Sequence, residues 1–88
     1  MKDMLEMFFC EYEEEEWNRY SSCFEDVKTQ IEGVPQEIVN AVFAVLGDSG
    51  YNWLHTPLHK FGGKSAVELV KTEKGEKALK AFIMRLPN

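Results

Sequence analysis

Helix breakers recur so closely along this chain that no helix within it can be long. Gly33 and Pro35, Gly47, Pro57, the pair Gly62–Gly63 and the terminal Pro87 divide 88 residues into short segments. Glycine leaves helical geometry at little steric cost, and proline lacks the N–H that a continuing helix needs. Between the breakers, apolar residues recur at helical spacing. Met1, Met4, Leu5 and Phe8 stand at i, i+3, i+4 and i+7, although Met7-Phe8-Phe9 also suits a strand. Later stripes are Trp17, Tyr20, Phe24, Val27, Ile31; then Ile38, Val39, Val42, Val45, Leu46; and last Ala78, Leu79, Phe82, Ile83, Leu86. Internal repeats and strand-turn-strand patterns are lacking. The expectation is an all-α fold: a small bundle of about five short helices around a helix stop, a loop and a capped helix start. Residues 1–88 read as a single domain, with an acidic helical region over 1–40 and a second region over 41–88.

Local signals place the boundaries. Extending the first stripe would turn Glu15 and Arg19 inward, so it breaks near Glu13–Glu16. Those four glutamates then occupy the first turn of a second helix, where the dipole favours negative charge. The stripe from Trp17 to Ile31 predicts one helix of four turns, closed by Gly33. Pro35 opens the next, over Gln36–Leu46, with Gly47 as its stop. Asp48 can cap a short helix through Leu54 or His55, which Pro57 halts. Leu58–Lys64 reads as a loop or single turn. Ser65-Ala66-Val67-Glu68 has the S-x-x-E form of a capping box, starting a helix to about Lys71, and Thr72 can cap the last one.

Charge excludes some functions. The net charge is −5, against the phosphate neutralisation on which nucleic-acid binding depends. It is unevenly spread: residues 1–48 hold three basic against twelve acidic groups, a balance of −9, and residues 49–88 hold seven against three, +4. Such a dipole suits steering towards a charged partner. No apolar run is long enough to span a membrane, and the acidic start lacks a signal peptide's form, so the expected location is cytoplasmic. There Cys10 and Cys23 should be unpaired, buried small hydrophobes.

The densest stretch, YNWLHTPLHKFGGKS at 51–65, offers three chemistries and supports none. His55 and His59 have the i, i+4 spacing of a helical metal pair, but Pro57 interrupts that helix and no further ligand is placed nearby. FGGKS resembles the end of a phosphate-binding loop, yet Leu58 stands where its first glycine belongs. Cys10, Cys23, Ser21 and Ser22 have no histidine near them in sequence. The chain reads as a non-enzyme without cofactor or metal.

The order of motifs is more informative than any one of them. Gly47-Asp48, then Trp53, Leu54, Thr56 and Pro57, then Gly62, Gly63, Ser65, Glu68, Leu69, Thr72, Gly75, Arg85 and Leu86 follow one pattern. In this, residues 41–86 resemble the C-terminal toxin-binding domain of the Xre/MbcA/ParS antitoxins, with Ala66 where that family usually has proline. The resemblance implies a protein that binds and silences a cognate toxin of the RES or ParT type, an enzyme that consumes NAD or transfers ADP-ribose from it. Family members often carry a helix-turn-helix before this domain; residues 1–40 are too few and too acidic for a complete one. Of the motif residues, Trp53, Leu54, Leu69 and Leu79 should be core, Gly62 and Gly63 turn, and Ser65 and Thr72 caps. The partner-contacting set is expected to be polar and loop-borne: His55, His59, Lys60, Lys64 and the end from Arg85 to Asn88. Two other readings compete, an acidic decoy that mimics nucleic acid and a homo-oligomerisation module.

Overall fold

The structure, a computed structural model, describes residues 4–86, so Met1 of the first stripe, Pro87 and Asn88 lie outside the described residues. Six helices follow in order: α1 (Met4–Glu11), α2 (Glu14–Ser21), α3 (Gln36–Leu46), α4 (Ser49–His55), α5 (Ala66–Leu69) and α6 (Glu73–Met84), with one 3₁₀ turn at His59–Phe61. The all-α expectation holds, and Met7-Phe8-Phe9 is helical.

Helix α6 organises the molecule, since α1, α2, α3 and α5 all pack on it. Its Ala78, Leu79, Ala81 and Ile83 are buried, the small alanines letting neighbours approach closely. Trp17 of α2, Ile38, Val39 and Val42 of α3, and Leu54 of α4 complete the most deeply buried part of one apolar cluster. Phe8 enters from α1 and meets the Phe61 ring at 5.7 Å and the Phe82 ring edge-on at 5.3 Å.

The four-turn helix expected from Trp17 to Ile31 is absent: α2 ends at Ser21. The hydroxyls of Ser21 and Ser22 donate to the Asn18 and Arg19 carbonyls, competing with further helical turns. Beyond them a buried side chain takes over the backbone. Asn40, 6% exposed, accepts from the Val27 N–H at 3.0 Å and from Gln36 Nε2 at 2.9 Å, and its own Nδ2 donates to Asp26 at 2.7 Å. Phe24, Val27 and Ile31 still pack on the core, from an irregular strap. Tertiary hydrogen bonding has overridden a correct apolar pattern.

Caps and cysteines also depart from expectation. Asp48 is already in αR geometry, so its side chain cannot fold back as a cap. Ser65 makes no side-chain cap; its carbonyl instead accepts from the Glu68 and Leu69 amides, Glu68 is exposed, and α5 ends at Leu69 after one turn. Thr72 does cap α6, its Oγ1 accepting from the Gly75 N–H at 3.0 Å. Cys10 and Cys23 are unpaired as expected but exposed, because neither falls on the inward face of its segment.

One charge is buried against the core. Lys80 reaches Glu37 at 2.7 Å and Glu76 at 3.3 Å, with its amine 5.4 Å from the Trp17 ring centre and 5.9 Å from that of Tyr12. Burial pulls the Lys80 pKa down, but the hydrogen bonds and charges of Glu37 and Glu76 outweigh it, leaving the value above the usual 10.5. Burial also raises Tyr12, against the opposing charge of Lys80, and Tyr20, both above 10.0. All three groups hold their protons more tightly when folded. The stability this confers is therefore complete below about pH 10 and lost as pH rises through the folded-state values. Thermal melts should be level from neutral pH to about pH 9 and fall beyond about pH 10. Lys80→Met should show a shallower fall, and melting that rises above pH 10 would contradict the assignment.

Candidate partner-binding site

The stretch after α4 forms a pinched loop. Thr56 ends the helix, its Oγ1 donating to the Asn52 carbonyl at 2.7 Å and its N–H to Trp53, while Pro57 prevents continuation. The chain then closes on itself: the Leu58 N–H donates to the Lys64 carbonyl and the Gly63 N–H to the Leu58 carbonyl, each at 3.0 Å. This pairing is a single antiparallel bridge. Closing so short a loop needs left-handed backbone, and Gly62 (φ 69°) and Gly63 (φ 86°) supply it. Phe61, 5% exposed, anchors the loop by its ring against Phe8 and Phe82. A rigid foot thus carries exposed polar residues.

His55, His59, Lys60 and Lys64 are all exposed. Lys60 arches over the Phe82 ring, 5.7 Å from its centre, and Trp53 stacks on that same ring at 6.2 Å. Trp53 is therefore half-buried at the core's edge rather than inside it, whereas Leu54, Leu69 and Leu79 are fully within. Lys60 and Lys64 line one cavity of about 150 Å³ with Leu5, Phe61 and Gly62. His55 and His59 do not line it. His55 packs on the exposed Tyr51, with Nδ1 3.0 Å from the Tyr51 carbonyl, which makes that nitrogen the protonated one. Arg85 lies exposed at the end of α6 and pairs with Glu11 of α1, apart from the cavity; Asn88 lies outside the described residues.

Leu5 and Phe82 are the members that sequence reading missed. Leu5 reaches the loop only because α1 packs across α6, a contact that no local signal announces. Phe82 was visible as an inward stripe residue, but its exposed flank follows from the loop's position.

The electrostatics are one-sided. From Ser49 to Val67 there is no acidic residue, against two lysines and two histidines. Among the described residues no group of three or more His, Cys, Asp or Glu side chains converges as a metal site, and no helix is long and apolar enough to cross a membrane. The arrangement can present positive charge and aromatic edges on a fixed loop.

Comparison with known proteins places this loop in the middle of a recognised region. Residues 41–86, just over half of the chain, match the model of the family described as the antitoxin Xre/MbcA/ParS C-terminal toxin-binding domain. No curated protein and no solved structure matches the chain.

Proposed function

The chain belongs to the Xre/MbcA/ParS antitoxins through their C-terminal toxin-binding domain, and from that premise we propose that it neutralises an NAD-consuming or ADP-ribosylating toxin of the RES or ParT type by direct contact. It acts by binding, with no reaction of its own, in the cytoplasm beside that toxin. The observation that carries the reading is the family match over 41–86, within which the acid-free loop is the rigid, exposed feature. An enzyme that admits an anionic cofactor can accept a basic surface near its cleft, and opposite charges speed encounter. His55, His59, Lys60 and Lys64 are proposed as contacts, with Arg85 at a second edge; Asn88, outside the described residues, is proposed with them.

Co-expression with the product of the adjoining reading frame tests this. The expected result is a co-purifying complex and cellular NAD held at its normal level, with NAD falling when the toxin is expressed alone. A toxin that depletes NAD equally with and without this protein would refute the proposal.

The decoy reading loses support from the acidic groups themselves. A nucleic-acid mimic needs carboxylates in one regular array. Here Glu11 is paired with Arg85, Asp26 with Asn40, Glu73 with Lys77, and Glu37 and Glu76 with Lys80. Of the N-terminal acids, Glu11, Asp26 and Glu37 are thus engaged within the fold, while Glu14–Glu16 follow one another in the first turn of α2 and so radiate around it instead of forming one array.

A further inference from the structure

The lysines of α6 and those of the loop differ in their partners. Lys74, Lys77 and Lys80 of α6 each pair with a carboxylate, from Glu6, Glu73, or Glu37 and Glu76. Lys60 and Lys64 face no carboxylate among the described residues, yet they line the same cavity. Loop backbone does not serve that cavity's polar needs, since the Gly62 and Gly63 amides are committed to the His59 and Leu58 carbonyls. The charged side chains on the cavity wall are those of Lys60 and Lys64, with Leu5 and Phe61 as its apolar part.

We propose that this cavity receives one acidic side chain, a glutamate or aspartate of the toxin, its carboxylate between Lys60 and Lys64 and its methylenes against Leu5 and Phe61. The inference rests on the toxin-binding reading above and names the contact within it. Size decides between an acidic side chain and a larger anion. At about 150 Å³ the space is about half of that at which pockets for drug-sized molecules and cofactors begin, about 300 Å³. The cavity can enclose one side chain but not a whole dinucleotide. The loop is also prepaid in order, because the Leu58–Lys64 pairing and the Phe61 anchor fix it before binding. The contact should therefore need little ordering of the loop backbone and depend strongly on salt.

The test is the dissociation constant of the purified complex with the co-expressed toxin, at low and at raised salt. The set comprises the wild type, Lys60→Glu/Lys64→Glu, Lys60→Gln/Lys64→Gln, and Lys28→Glu as a charge change away from the cavity. The double reversal should weaken binding on the order of tenfold or more and flatten its salt dependence, with the glutamine pair intermediate and Lys28→Glu within about threefold of wild type. Melting temperatures should match throughout, because both lysines are exposed. A complex that forms normally with wild type and as tightly with the double reversal overturns the cavity assignment while leaving the toxin-binding reading in place. No complex with wild type overturns both. Saturable binding of NAD to the protein alone, lost in the double reversal, would give the cavity to a nucleotide and also overturn the proposal.

Discussion

Gly75→Ala should lower stability by about 3 kcal/mol or more, although alanine is the better helix former by about 1 kcal/mol. Gly75 sits buried in the first turn of α6. A Cβ there would lie 2.1 Å from the Leu69 carbonyl oxygen and 2.9 Å from Thr72 Oγ1. The first contact is with backbone at the end of α5, which has no rotamer to change; relief requires the corner between α5 and α6 to open. That would strain the Thr72 cap, whose hydroxyl accepts from the Gly75 N–H. For a domain of this size 3 kcal/mol corresponds to roughly 12–24 °C in melting temperature. Gly50→Ala is the matched control. Its Cβ would meet the side chains of Val42 and Phe43 at 3.1 and 3.2 Å, which can adjust, so the loss should be smaller. A Gly75→Ala protein that melts at or above wild type would show that this corner yields freely.

That corner also shows what was legible in the sequence. Thr72-x-x-Gly75 was readable as cap and motif, because a cap is a local interaction between residues three apart. The reason for glycine was not, since it lies in the carbonyl of Leu69 and in how two helices meet. The same division runs through the chain. Helix class, the stops at Gly47 and Pro57 and the inward face of α6 follow from periodicity and local chemistry. The strap over 22–35 does not, because Asn40 decides it from the middle of an otherwise apolar stretch, Ile38 to Val42. A polar residue inside such a stripe was itself a signal, as was Lys80 between Leu79 and Ala81. For the binding loop, sequence supplied the charges and the closing glycines; the cavity wall at Leu5 depended on a helix docked from more than fifty residues away.

Trp17→Ala should cost roughly 3–5 kcal/mol, even though Trp17 lies outside the region that matches the toxin-binding family. Its ring is 1% exposed, packs 5.8 Å from that of Tyr20 and carries the Lys80 ammonium on its face. Truncation would open a cavity between α2, α3 and α6 and strip a buried cation of its aromatic contact. Trp17 also brings a defect, because its indole N–H is buried with no hydrogen-bond partner among the described residues. An unmatched buried donor costs about 1–3 kcal/mol. Trp17→Phe, which removes that N–H together with some ring volume, should therefore cost much less than Trp17→Ala, the gain in polar balance offsetting part of the lost packing. Urea unfolding of the three proteins, followed by circular dichroism, separates these contributions. If Trp17→Ala unfolds at the wild-type midpoint, α2 is an appendage, and the matched region holds its core without it. If the loss is as large as its burial implies, the acidic N-terminal segment is part of the scaffold that keeps α6, and with it Phe82 beneath Lys60, in the position from which the binding loop is presented.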